Sequence, residues 1–291
     1  MSAVSWIDMV YEYDGSYEGF LCCIYESYVN KEFPIAFAGN EEFPVLTLYS
    51  VRSIETDLSH SSRILRSIES RSPRAARLLY RSFHTCMKDK EVHLYRFIRK
   101  LYAEGPQFLS RPSDEACLPL YKAARHLSGE LEKLRGFVRF SDYSGILGAE
   151  IEPKNQVLPF LRGYFCSRYA NESFFLYDRT HAELLLYSSG RSRIVQADSL
   201  TLAPPDEREA QYRRLWKTFF DTIAIEARHN PRCQNTFLPK RYRGTMTEFQ
   251  PESAFIPAAS PADAPLPSAP DGIPAPGIPP GSAPPAPGSC T

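Results

Sequence analysis

The spacing of apolar positions along this chain changes several times, and each change marks an element. Residues 9–13, Met-Val-Tyr-Glu-Tyr, read as a short extended segment. Asp14-Gly15-Ser16 follows, a tight-turn sequence whose serine suits a helix N-cap. Phe20, Leu21, Ile24, Tyr25 and Tyr28 then recur at helical spacing and predict a core-facing helix from Tyr17. Residues 45–51 have the composition of a short strand, and from about 56 to 135 the period is helical throughout. Within that stretch Ser72-Pro73 predicts a cap with proline in the first turn, and Gly105-Pro106 a stop. Ser113-Asp114-Glu115 predicts a further helix start, with a kink at Pro119.

The period shifts at Gly136. Residues 136–142 and 146–152 read as two strands joined by a hairpin, and 157–169 as a helix after Pro153. Residues 174–178, 182–187 and 193–196 read as three more strands. A last long helix is predicted from Pro205-Asp206 to His229, with Asn230-Pro231 as its stop. The expected fold class is α+β: a helical N-terminal half (about 16–135), then a small, mostly antiparallel sheet of order β-β-α-β-β-β with a long C-terminal helix (136–250). Residues 1–250 suit one domain.

Composition sets the last 41 residues apart. They hold 13 of the 25 prolines, with Ala, Gly and Ser, and predict a disordered, partly polyproline-like tail over 251–291. The formal net charge is zero but unevenly spread. Residues 208–243 carry nine Lys or Arg against three acids, an electrostatic footprint that phosphates or a solvated helix face would each explain. No apolar run approaches the roughly 18 residues of a membrane span. The acidic start (Asp8, Glu12) does not read as a signal peptide, and seven irregularly spaced cysteines read as reduced thiols. A cytoplasmic protein is the expectation.

Candidate chemistry is marked mostly by absence. The sequence holds no Walker A, GxGxxG, CxxC or cluster-binding cysteine triplet, so no cofactor is expected. Glu226 and His229 have helical ligand spacing, but no second pair completes a metal site. The turn Asp14, Gly15, Ser16, Glu18 before a helix is a candidate anion or substrate turn, with packing as the alternative. Asp14, Glu18, Asp142, Glu150 and Glu152 are possible acid–base carboxylates that spacing does not rank, so the catalytic residues stay unassigned.

The basic segment has more character. Arg213 and Lys217 lie on the predicted helix, and Arg228, Asn230, Arg232, Gln234, Lys240, Arg241, Tyr242 and Arg243 follow it. That mixture of cations, amides and an aromatic is a candidate DNA-binding surface. A connector that plugs Phe237 and Leu238 into the core would use the same residues. Four separated blocks also resemble one bacterial family of DNA-repair or DNA-metabolism proteins. The blocks are residues 13–21, the 136–140 strand, Ile151-Glu152-Pro153 with Val157-Leu158-Pro159, and 223–231 through 238–243 to Thr247-Glu248-Phe249. The resemblance spans about residues 11–250. It implies a DNA-repair setting, in which such proteins are encoded beside a radical S-adenosylmethionine repair protein and a similar domain is fused to a uracil-DNA glycosylase. It brings no reaction and no catalytic residue. The leading expectation is a DNA-binding accessory partner of that radical enzyme. The alternatives are an enzyme acting on a damaged nucleobase or DNA backbone, and a protein-only scaffold.

Overall fold

Residues 6–39, 48–202 and 204–251 are described by the computed structural model, with only the backbone of Glu226. Strand β1 (Ile7–Glu12) leads through the Asp14-Gly15-Ser16 turn into α1 (Tyr17–Asn30). The Ser16 hydroxyl accepts from Gly19 N at 2.9 Å, the N-cap that turn chemistry predicts. Strand β2 (Glu32–Ala38) returns parallel to β1, and β3 (Ser50–Ser53) lies parallel on the other side. Of the expected 45–51 strand, positions 45–47 lie outside the described residues, as do 252–291 of the Pro-rich stretch.

The N-terminal half is therefore not only helical; it contains a three-stranded parallel sheet of order β2-β1-β3. Helix α1 is the crossover that makes β1 and β2 parallel. Pro34 masks β2 in the sequence. It cannot donate to the ladder, and the register slips beside it where Met9 faces Pro34 but Val10 faces Ala36.

Helices α2 (Leu58–Arg71), α3 (Pro73–Phe83), α4 (Lys90–Glu104) and α5 (Leu118–Phe137) follow. Pro119 sits in the first turn of α5, where its missing N–H costs nothing, rather than at a kink. The expected strand at 136–142 is also revised. Gly136 and Phe137 complete α5, and β4 is only Ser141–Tyr143. With 20 residues, α5 spans both cores: Leu120 packs in the first, and Leu127, Leu131 and Leu134 pack in the second.

The second sheet has the order β4-β5-β6-β7-β8, with β5 (Ile146–Ile151), β6 (Ser173–Asp178), β7 (Glu183–Ser188) and β8 (Arg191–Gln196). Helix α6 (Leu158–Arg168) intervenes between β5 and β6 and makes that pair parallel, so the sheet is mixed rather than simply antiparallel. Phe174, Leu176 and Leu185 face α6 in the core, and alternate residues form the outer face.

The long C-terminal helix is broken. Helix α7 (Glu207–Ile223) ends early, and Asn230-Pro231 starts α8 (Pro231–Phe237) instead of stopping α7. The Asn230 side chain accepts from Cys233 N at 3.0 Å, which makes Asn230 an N-cap. Short 3-10 turns at Lys240–Thr245 and Thr247–Phe249 carry the chain back to α7 and the second core.

Candidate functional site

At the carboxyl end of β1 the chain turns to β2 on one side, while β3 lies on the other. Crevices form at such switch points because the connections diverge. Here a cleft of about 1160 Å³ is lined by Tyr13, Asp14 and Gly15, by residues 85–93 and Arg96 around the start of α4, and by Lys154, Gln156, His181 and Gln196 from the second half. The loop carrying Lys154 and Gln156 is fixed by buried Glu130. Its carboxylate accepts from Lys154 N (3.1 Å), Asn155 N (2.9 Å) and the Asn155 amide (2.6 Å). Asn155 accepts in turn from Cys86 N at 3.0 Å, and Gln156 N bonds His84 O, so the loop is pinned against the α3–α4 connection.

Two features give this cleft chemistry. Lys88, Arg96 and Lys154 are exposed and have no side-chain partner among the described residues, so their charge is available to an anion. His181 supplies the other. Its Nδ1 donates to Asp178 Oδ2 at 2.7 Å, and fully buried Asp178 is held by the Thr180 and His181 N–H groups. This fixes the ring and leaves Nε2 as its remaining nitrogen. Ala182 follows with a φ of 52°, a strained conformation for a residue with a side chain. Burial pushes the Glu183 carboxyl up, against the opposing effect of His181 and with that of Asp178, and Glu183 Oε2 has no partner among the described residues. An ordered imidazole beside two unlike carboxyls is the equipment of proton transfer.

The predicted anion turn lies in this cleft, but it is occupied by its own carboxylate. Asp14 Oδ1 accepts from Ser16 N (2.9 Å) and Ser16 Oγ (2.6 Å), and Oδ2 accepts from Thr56 Oγ1 (2.7 Å). Burial alone would raise this carboxyl, but those hydrogen bonds hold it below its ordinary value. A Cβ on Gly19 would lie 2.2 Å from Asp14 Oδ1 and 2.8 Å from Thr56 Oγ1, so Gly19 permits this close approach. Gly15 supplies the turn, with a φ of 77°. Glu18 is exposed in the first turn of α1.

The predicted C-terminal surface is divided by the fold. Arg213 bonds Glu209 (2.8 Å) and Ser141 Oγ (2.6 Å), and Lys217 pairs with Asp221 at 3.5 Å. Arg241 pairs with Glu130 at 2.7 Å and also bonds the Tyr242 hydroxyl. Tyr242 is buried against Phe137, so its ring is not offered for stacking. Arg243 bonds Asn235 Oδ1 and Leu238 O, and lies over the Phe249 ring. Arg228, Arg232 and Lys240 remain exposed without a partner among the described residues, and Gln234 is half-buried on α8. No residue of 208–243 lines the β1 cleft, so the Asp14–Glu18 turn and the basic segment do not share it.

Periodicity missed Lys88, Arg96 and Lys154, which come together from three separate elements. The Asp178–His181 pair had a signal, an Asp-x-x-His run at a strand end. The α7 stripe also differs from a core face. Leu215, Trp216, Phe219 and Ile223 are exposed, and Phe220 packs on Phe249. Among the described residues, no three His, Cys, Asp or Glu side chains are placed to hold one metal ion, and no helix is long and apolar enough to cross a membrane.

A family model described as a domain of unknown function, DUF4130, matches residues 88–248. No curated protein and no solved structure matches the chain.

Proposed function

This chain belongs to the DUF4130 family, and from that premise we propose that it is a DNA-binding accessory protein of DNA repair or DNA metabolism. In this reading it holds a phosphate-bearing strand in the β1 cleft. The observation that carries it is the convergence of Lys88, Arg96 and Lys154, all exposed and unpartnered among the described residues, on one cleft. The exposed Leu215, Trp216, Phe219 and Ile223 on α7 support a protein partner, since contiguous apolar surface of this kind mostly marks docking sites. The resemblance in the sequence points to a radical S-adenosylmethionine repair protein as that partner.

Binding dominated by phosphates weakens with salt by roughly 0.9 log units per contact per tenfold change in salt. The triple replacement of Lys88, Arg96 and Lys154 by Ala is expected to flatten the salt dependence of duplex binding. Replacing Arg228, Arg232 and Lys240 measures the share of the predicted C-terminal surface. Binding that is absent, or indifferent to salt, sinks the reading.

The Asp178–His181 pair favours a second reading, an enzyme acting on a nucleobase or phosphodiester in the same cleft. Product formed from a damaged oligonucleotide by the purified chain, and abolished by His181→Ala, would establish it. Product formation that survives His181→Ala would reject that residue's role.

A further inference from the structure

The outer face of the second sheet carries a surface that the cleft does not use. A shallow apolar depression of about 740 Å³ is lined by Tyr143, Ile146, Phe175, Leu186, Arg191 and Arg193, with serine and core residues between them. Ile146 and Leu186 are 47% and 41% exposed, although Ile146 opens β5 and Leu186 lies within β7, both inner strands of the sheet. Beneath the Phe175 side of this depression lies buried Gly148, the β5 residue paired with Phe175. The space a Cβ would take there is filled by Phe175, whose Cζ comes to 2.2 Å, and by Tyr143 Cε2 at 2.8 Å. The absent side chain lets the Phe175 ring lie across β5, with Tyr143 tilted against it at a centroid distance of 5.9 Å.

Covering a strand glycine with an aromatic ring is a known way to stabilise a sheet. It explains the position of Phe175 but not its surroundings. Phe175, Leu186 and Arg193 form one cross-strand row, with Ser173, Ser188 and Arg191 in the next. Two strand spacings, about 10 Å, separate Phe175 from Arg193. Both arginines are exposed and unpartnered among the described residues, and no acidic residue lines the depression. An aromatic and aliphatic floor with cations along one edge complements a ligand that is flat and apolar on one side and anionic on the other. An unpaired base with its phosphate is such a ligand, because every base presents a π-face and every linkage a charge.

We propose that this sheet face is a stacking platform for single-stranded nucleic acid, with Phe175 and Tyr143 receiving a base and Arg191 and Arg193 receiving the backbone. The proposal rests on the DNA-binding reading above and adds a preference for unpaired strand, on a surface separate from the cleft.

The test is fluorescence anisotropy of the full chain with labelled oligo(dT) and with a duplex of equal length. Oligo(dT) is expected to bind more tightly than duplex. Phe175→Ala weakens oligo(dT) binding by roughly five- to hundredfold, while Phe175→Tyr keeps it. The double variant Arg191→Ala/Arg193→Ala lowers the single-strand salt slope by roughly 0.7 per lost contact. That variant removes only exposed groups without partners among the described residues, so it reports even where Phe175→Ala disturbs the fold. The proposal is overturned if both variants bind oligo(dT) like the parent. If the same chains lose duplex affinity only on replacement of Lys88, Arg96 and Lys154, the platform fails and the cleft stands. If the parent binds neither strand form, both readings fail. Self-association dissolved by Leu186→Glu, with no single-strand affinity, would also overturn the proposal, because the face would then belong to a second copy.

Discussion

Replacing Glu130 by Ala removes the acceptor at which three distant parts of the chain meet. Its two oxygens receive Lys154 N, Asn155 N, the Asn155 amide and the Arg241 guanidinium, and Glu130 is 2% exposed. Truncation leaves these donors facing a dry gap and Arg241 without its countercharge. Removing one partner of a buried, hydrogen-bonded ion pair costs about 3–5 kcal/mol. For a domain of this size, a loss of 1 kcal/mol lowers Tm by about 2–4 °C, so the variant should melt roughly 6–20 °C below the parent. Arg241→Ala should cost less, about 1–2 kcal/mol, because the arginine is one-third exposed and the other donors remain. The double variant should lose less than the sum.

The pH dependence has a definite sign. Burial pushes the Glu130 carboxyl up, but the backbone N–H groups, the Asn155 amide and Arg241 outweigh it and hold it below its ordinary 4.5. The charge-linked part of this contribution is therefore present above about pH 4.5 and lost as pH falls through the depressed value, where the gap between parent and variant should narrow. Thermal melts by circular dichroism across pH 3–8 check this. A change in Tm under about 2 °C at neutral pH would refute the reasoning, as would a difference undiminished in acid. Lys240→Ala, on an exposed neighbour, is the control and should stay within about 0.5 kcal/mol.

Other consequences are directly measurable. Gly19→Ala puts a methyl group into the Asp14–Thr56 contact and should cost about 1–3 kcal/mol in urea unfolding, against a small helix-propensity gain at an unconstrained glycine. Glu183→Gln should stabilise the fold at neutral pH. The raised carboxyl favours the protonated form, its contribution is lost as pH rises through the folded value, and the variant's advantage should vanish in acid. Iodoacetamide followed by peptide mass mapping should label exposed Cys86 and Cys233 well before Cys22, Cys23 and Cys117, whose thiols burial pushes up.

Local chemistry was legible where a rule of one to four residues decides the outcome. Ser16 and Ser72 are caps, Gly105 ends α4, and the ββαβββ order of the second half follows from period changes in the sequence. The misreadings have equally local causes. Pro34 hid β2, Gly136 looked like a strand start although α5 continues through it, and Asn230-Pro231 fits a helix start as well as a stop.

Partnership was beyond any local rule. Arg241 meets Glu130 across 111 residues and Arg139 meets Glu248 across 109, so a run of charge in the sequence could not show which cations the fold would neutralise. Residues 208–243 looked like one basic surface, yet the fold commits Arg213, Lys217, Arg241 and Arg243 to internal partners. Lys88, Arg96 and Lys154, unremarkable in sequence, converge on the β1 cleft without partners among the described residues. The sequence by itself determined the elements, because capping, turn chemistry and hydrophobic period act between near neighbours. The tertiary structure alone decided which charges remain available to a ligand, because ion pairing depends on separation in space.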